Sequence, residues 1–159
     1  MVIELQERIK QEGIKLGMCD KFVEMWGDPS IEKLCEFYFR GQDFCIEKDF
    51  PSIELLKEYS SETAQYGLYA DNGHSVSQPH VAAVGNAEVA VDVTSVTDLT
   101  VRHKAVVTVR LYGKCLCYIS AYDNCKIIVE HKDPQSRLCL SYWGGDVLNK
   151  EMFDKINYK

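Results

Sequence analysis

The sequence predicts an α+β protein in which a helical N-terminal subdomain is followed by a short, capped β-solenoid. Three observations predict this fold. Apolar residues recur at helical spacing over about the first 60 residues, and they alternate strictly from about residue 80 onward. The alternating segments also match one another at intervals of 18 and 20 residues. A repeat of that length indicates stacked turns that hold two strands each.

Composition excludes several classes of protein. The chain has 159 residues, of which 46% are hydrophobic and 26% charged, which is typical of a globular protein and not of a disordered or collagen-like one. Its net charge of -6 disfavours a protein that coats nucleic acid. No apolar run reaches the roughly 20 residues of a membrane span, and the charged N-terminus does not resemble a signal peptide. We therefore expect a cytoplasmic protein, or one associated with a virion.

Residues 1–60 are predicted to form an acidic helical subdomain. Gly13 and Gly17 interrupt the first apolar pattern, which indicates two short helices. A further helix is expected to begin at Asp28-Pro29-Ser30, which offers a capping side chain and a proline in the first turn, and to run to about Lys48. The same Pro-Ser-Ile-Glu sequence recurs at Pro51 and opens a helix that ends near residue 59.

Residues 61–79 are predicted to be a connecting loop with a turn at Asp71-Asn72-Gly73, and residues 80–145 to be the β-solenoid. Three segments of the solenoid match slot for slot, with small or apolar residues in every slot except the last of the third segment, and half-period copies lie between them. The segments are Ala87-x-Val89-x-Val91-x-Val93, Ala105-x-Val107-x-Val109-x-Leu111 and Cys125-x-Ile127-x-Val129-x-His131.

The corners between these strands allow two architectures. Gly85-Asn86, Gly113-Lys114 and Asp123-Asn124 contain residue types that tolerate a left-handed backbone. In a parallel solenoid they would be stacked corners, whereas in an antiparallel meander or sandwich they would be two-residue hairpin turns. The solenoid is favoured because small residues follow the corners, where a narrow coil is tightest; these are Ala87, Ala105, Cys115 and Cys125.

The phrases Ala83-Val84-Gly85-Asn86-Ala87, Leu111-Tyr112-Gly113-Lys114-Cys115 and Ala121-Tyr122-Asp123-Asn124-Cys125 resemble the decapeptide-type β-solenoid repeats of bacterial and phage-encoded proteins. The resemblance covers about residues 80 to 142. It implies a solenoid of roughly three turns and a phage or mobile-element setting, and it implies no particular activity.

Both ends of a solenoid need covering, because each repeat buries its apolar face only against a neighbour. The helical subdomain is expected to cover the first turn. Residues 146–159 are predicted to form a C-terminal capping helix that begins at Asp146, with Trp143 packed beneath it. Its apolar stripe would consist of Leu148, Met152, Phe153 and Ile156.

We find no pattern for catalysis, a metal or a cofactor in the sequence. The seven cysteines are an odd number in a chain without an export signal, which favours reduced thiols. Cys115 and Cys117 lack the further ligands of a zinc site. The one nucleophile and base that corners could bring together are Cys125 and His103. We therefore expect a non-enzymatic protein with no catalytic, cofactor-binding or metal-binding residues.

The net charge is unevenly distributed. Residues 1–73 hold 8 basic and 15 acidic residues, residues 74–145 hold 7 and 6, and residues 146–159 hold 3 of each. On the predicted helix, Glu32, Glu36, Asp43 and Glu47 recur on one face, and we predict that they bind a partner. A merely solvated acidic face is the alternative. Further contacts could come from Tyr112, Tyr118, Tyr122 and Tyr142, which are either interface anchors or ordinary strand tyrosines.

These observations predict a protein-interaction module. Its acidic helical face would bind a basic nucleic-acid-binding protein, and in the sharpest form it would inhibit a host defence nuclease on behalf of a phage or mobile element. Direct binding to nucleic acid or to a membrane is not expected. The alternative function is a phage virion or assembly component that forms homo-oligomers through the β-solenoid.

Overall fold

The computed structural model describes residues 2–159 and divides the chain into two compact units, one ending at Thr63 and the other spanning Ala64–Lys159. The first unit is helical. Its helices are α1 (Val2–Lys15), α2 (Asp20–Glu24), α3 (Ile31–Arg40), α4 (Gln42–Lys48), α5 (Ile53–Glu58) and α6 (Ser60–Thr63).

Local signals set these helix boundaries. Gly17, with φ of +94°, follows the end of α1, and the Ser30 side chain accepts a hydrogen bond from the Lys33 N–H (3.2 Å) at the start of α3. The single helix predicted to run to Lys48 is wrong, because Gly41 lies between α3 and α4 with dihedrals outside the helical region. Helix α3 therefore ends at Arg40, and α4 begins at Gln42.

The core of the helical unit is aromatic. The rings of Trp26 and Phe37 lie 5.5 Å apart and those of Phe22 and Phe37 5.3 Å apart, and both Trp26 and Phe37 are buried. Glu12 accepts a hydrogen bond from the Ser52 N–H (2.6 Å), which fixes α1 against the start of α5.

The second unit is a parallel β-solenoid. Successive strands alternate between two sheets, and every strand pairs in parallel with the strand two places along the chain. The first sheet contains β1 (Leu68–Tyr69), β3 (His80–Ala83), β5 (Val96–Val101), β7 (Leu116–Ala121), β9 (Arg137–Tyr142) and β11 (Lys155–Tyr158). The second sheet contains β2 (Gly73–Val76), β4 (Glu88–Val93), β6 (Val106–Leu111), β8 (Lys126–Lys132) and β10 (Asp146–Leu148).

The predicted α+β class with a β-solenoid is thereby confirmed, and the antiparallel alternative is wrong. The predicted register is correct through Val91, Val109 and Val129, which are partners on β4, β6 and β8. It fails one slot later, because the register shifts between Val109 and Arg110 and pairs Arg110 with His131. The matched pattern had placed His131 in the core. Because of the register shift, its side chain is exposed instead.

The solenoid core consists of the inward side chains of both sheets. Almost all of them are 0–2% exposed, in agreement with the strict alternation of the sequence. At one series of corners the backbone takes positive φ values at Gly85 (+67°), His103 (+58°), Asp123 (+59°) and Gly145 (+105°). Stacked corners of one shape therefore recur along the solenoid.

The solenoid begins earlier than the sequence predicts, since β1 and β2 lie within the segment expected to be a loop. Side chains of the unit close its first turn. The Tyr69 hydroxyl donates to Gln78 Oε1 (2.7 Å), and Gln78 Nε2 donates to the carbonyl oxygens of Ala64 and Gln65 (3.0 Å each). We call Tyr69 and Gln78 the first-turn lid.

The predicted C-terminal capping helix is wrong. Residues 146–159 form β10, a 3-10 turn at Lys150–Met152 and β11, so they continue both sheets. Asp146 pairs in register with Lys126 instead of capping a helix, and Val147 enters the core. The hydrogen-bonding edges of β8 and β9 offer these residues strand partners, and such tertiary pairing overrides a helical apolar pattern.

Candidate functional surfaces

The four predicted partner-binding carboxylates are all exposed, but two helices carry them. Glu32 and Glu36 lie on α3, and Asp43 and Glu47 lie on α4, beyond the break at Gly41. The predicted continuous stripe is therefore divided between two helices. The four side chains are nevertheless exposed, as the sequence predicted.

Neighbouring lysines neutralise only part of this acidic set. Glu36 pairs with Lys33 (2.8 Å), and Glu47 lies 3.8 Å from Lys48. Both pairs are on the surface, where an ion pair contributes about 0–1 kcal/mol and exchanges readily with solvent. The helical unit, residues 1–63, has 14 acidic and 8 basic residues, and residues 64–159 have 10 of each. The whole net charge of -6 thus belongs to the helical unit.

The geometry at Cys125 and His103 does not form a nucleophile and base. Cys125 is fully buried, and burial raises the pKa of its thiol to about 11. His103 Nδ1 accepts a hydrogen bond from the Gly85 N–H (3.0 Å), so this nitrogen is occupied by the corner of the preceding turn. The Cys125 thiol is thus protonated and buried, and one nitrogen of the His103 ring is already hydrogen-bonded, which is not the arrangement of an activated nucleophile.

A charged ladder on the outer face of the second sheet is a feature that the sequence interpretation missed. Asp92 accepts from Arg110 Nε (2.6 Å) and lies 2.6 Å from His74 Nε2, while Arg110 is 3.7 Å from Glu130. Burial alone would raise the pKa of Asp92, but hydrogen bonds from Arg110 and His74 lower it below its usual range. The repeat interval could have revealed this ladder, because His74, Asp92 and Arg110 follow one another at 18 residues.

Aromatic rings stack along one corner of the solenoid. Tyr122 and Trp143 occupy the same corner of consecutive turns, with centroids 5.6 Å apart and planes 12° apart. Lys159 Nζ lies 5.7 Å from the Trp143 ring on the next turn. Trp143 is 55% exposed, so its predicted burial beneath a helix is wrong. Of the other tyrosines considered as anchors, Tyr112 and Tyr118 are exposed and Tyr142 is half-buried.

Among residues 2–159, no group of three or more His, Cys, Asp and Glu side chains is placed to hold a metal ion. No helix in this range is long and apolar enough to cross a membrane. The cysteines are free thiols, of which Cys19 is exposed, Cys139 half-buried and the remainder buried.

Comparison of the chain with protein-family models, curated proteins and solved structures finds no match.

Proposed function

We propose that this protein is a non-enzymatic protein-interaction module that binds a basic partner through the exposed carboxylates of α3 and α4. The observation that carries the proposal is the separation of charge. The helical unit has a net charge of -6 and the solenoid unit is neutral, so attraction to a basic surface acts on the helices.

The partner class follows from the same charges. Grooves that hold nucleic acid are lined with lysine and arginine, and an array of exposed carboxylates can occupy them in place of phosphates. Glu32, Glu36, Asp43 and Glu47 supply such an array at the protein surface. We infer a nucleic-acid-binding protein as the partner, and inhibition of a host defence nuclease by a phage or mobile-element protein as the setting.

Purified nucleases and DNA-binding domains with basic grooves provide the test. Binding is measured by biolayer interferometry at low and at physiological salt, with a DNA duplex as competitor. We expect at least one of them to bind, to be displaced by the duplex, and to lose about 10-fold or more in affinity when Glu32, Glu36 and Glu47 become Gln and Asp43 becomes Asn.

The solenoid offers a matched control with the same change in charge. Glu88, Glu130, Asp146 and Glu151 are also exposed, and replacing them with the corresponding amides should leave the affinity nearly unchanged. Equal losses from both sets would mean that only overall charge matters. An affinity and salt dependence that survive the change on α3 and α4 would show that the acidic residues are not the binding surface.

A further inference from the structure

The first sheet ends at β11, which has a strand neighbour on one side only. Among residues 2–159, β11 pairs with β9 and with no other strand. The Lys159 N–H donates to the Tyr142 carbonyl oxygen (2.9 Å), and alternate residues of a strand direct their N–H and C=O groups to the same side. The N–H and C=O groups of Ile156 and Tyr158 therefore point away from β9. We call this side of β11 the open edge.

The side chains along the open edge alternate in character. Lys155 and Asn157 are exposed. Between them, Ile156 packs against the solenoid core. Tyr158 follows on the same side as Ile156, with its ring 5.5 Å from that of Tyr142 and 62% of the residue exposed. A strand added here would meet polar side chains on one face and apolar ones on the other.

The charges beside the open edge have one sign. Strands β9 and β11 hold Arg137 and Lys155 and no acidic residue, and Lys159 directly follows β11. All three side chains are exposed. Within residues 2–159, neither Lys155 nor Lys159 forms an ion pair. The neighbouring acid, Asp154, is already paired with Lys132 (3.4 Å).

The terminal strands elsewhere in the solenoid do not offer this combination. Strand β1 has only two residues, and β10 has three and begins with the exposed Asp146. Beside β2, the Tyr69 ring lies so close that a Cβ at Gly73 would come within 2.7 Å of it. An extended segment with negative charge is therefore matched best by β11.

We propose that the open edge binds an extended acidic segment of a partner protein, which adds a strand to the first sheet beside β11. The backbone of the segment would hydrogen-bond to Ile156 and Tyr158. Its carboxylates, on alternate residues, would lie beside Lys155 and Lys159, and the apolar residues between them would cover Ile156 and Tyr158.

The same lysines disfavour a second copy of β11 as the occupant. When two copies of β11 pair antiparallel about Asn157, Lys155 of each lies opposite Lys159 of the other, and like charges in that position are destabilising. The open edge belongs to the solenoid unit, so its binding does not depend on the acidic helices of the proposed function. Because the edge is short, we expect a Kd on the order of 100 µM for a peptide.

NMR measurements on the full chain with the peptide acetyl-Glu-Val-Glu-Val-Glu-amide test the proposal. At saturation, hydrogen exchange of the Ile156 and Tyr158 amides should slow by about 10-fold or more, because both gain an acceptor. The Asn157 amide, which faces β9, is the internal control and should change much less. Acetyl-Glu-Pro-Glu-Pro-Glu-amide has the same charge with fewer donors, and it should not protect these amides.

Charge reversal tests the part of the lysines. Lys155→Glu with Lys159→Glu should weaken binding of the acidic peptide by about 10-fold or more and favour acetyl-Lys-Val-Lys-Val-Lys-amide instead. Lys104→Glu with Lys114→Glu makes the same change in charge at exposed corners of the solenoid and should leave the affinity nearly unchanged. The substituted side chains are all exposed, and circular dichroism of each variant checks the fold.

Several results would overturn the proposal. They are no binding of the acidic peptide at millimolar concentration, binding without added protection of Ile156 and Tyr158, and an affinity that survives reversal of both lysines. Equal protection by a single-stranded oligothymidylate would mean that the edge accepts any polyanion. Protection that rises with protein concentration in the absence of peptide would mean that a second copy covers the edge.

Discussion

The backbone N–H of Gly85 donates a hydrogen bond of 3.0 Å to Nδ1 of His103, which lies on the same corner one turn later. His103 in turn donates its own N–H to Asp123 Oδ2 (2.9 Å), on the corner of the following turn. These two corner N–H groups are each satisfied by a side chain from the next turn, in addition to the backbone hydrogen bonds between neighbouring corners. The repeated corners are therefore joined in series along the solenoid.

Replacing His103 with alanine should destabilise the protein. The change removes the acceptor for the Gly85 N–H and leaves alanine at a φ of +58°. Together these effects should lower the free energy of unfolding by about 1–3 kcal/mol, measured by urea denaturation. Lys104→Ala, at an exposed neighbouring position, is the control and should cost little. Equal midpoints for the two variants would mean that the corner bond is not stabilising.

Gly145→Ala should be more damaging than Gly113→Ala. Both glycines have positive φ, but a Cβ at Gly145 would lie 2.9 Å from the Cys125 carbonyl oxygen, whereas a Cβ at Gly113 meets nothing within 4 Å. We expect a loss of about 1 kcal/mol at Gly113 from backbone strain alone, and of several kcal/mol at Gly145. Adding Cys125→Ala to Gly145→Ala should not restore stability, because the clash with the carbonyl remains. Thermal melts of the three variants check this order.

Asp92→Asn should make stability less dependent on pH under acidic conditions. The folded-state pKa of Asp92 is lowered, so its contribution is present above the usual carboxyl pKa of about 3.9 and is lost as pH falls through the folded value. The variant should be less stable than the unaltered protein at pH 7. The gap should narrow steadily below about pH 4, where Asp92 becomes protonated and is then neutral like the asparagine that replaces it. Urea denaturation at several pH values measures the gap, and a constant gap would contradict the assigned role of Arg110.

The thiols should react with Ellman's reagent in two groups. Cys19 is exposed and should react within the first phase, whereas burial raises the pKa of Cys117 and Cys125 and excludes the reagent. Cys19→Ser should remove most of the fast phase, while Cys125→Ser should change only the phase seen after unfolding. Rapid labelling of Cys117 in the native protein, located by mass spectrometry, would show that the core opens readily.

Regular packing made part of this fold predictable. The inward slots repeat because equivalent positions stack on one another, so Val89, Val107 and Ile127 could be aligned from spacing alone. The ladder of His74, Asp92 and Arg110 follows the same spacing of 18 residues, but at outward positions. The acidic residues of α3 and α4 were predicted to be exposed, and they are.

The features that were missed depend on tertiary partners. A helical apolar pattern over residues 146–159 gave no sign that β8 and β9 would recruit these residues as strands. The register shift beside Arg110 likewise leaves no mark in the alternation that precedes it. The break at Gly41 was visible as a glycine, but a single glycine is often tolerated inside a helix. Local sequence therefore predicted the repeated inward positions of the solenoid better than the helix break, the register shift and the C-terminal strands.

The first-turn lid has a consequence for aggregation. The outer strand of a parallel sheet is a template that extended chains can copy, and such copying is the step that starts amyloid growth. The Tyr69 ring lies so close to β2 that a Cβ at Gly73 would come within 2.7 Å of it, and the Tyr69 hydroxyl oxygen is 3.3 Å from the His74 carbonyl oxygen, so an added strand would have to displace this ring. At the first turn the Tyr69 ring therefore hinders the pairing of a foreign strand with β2.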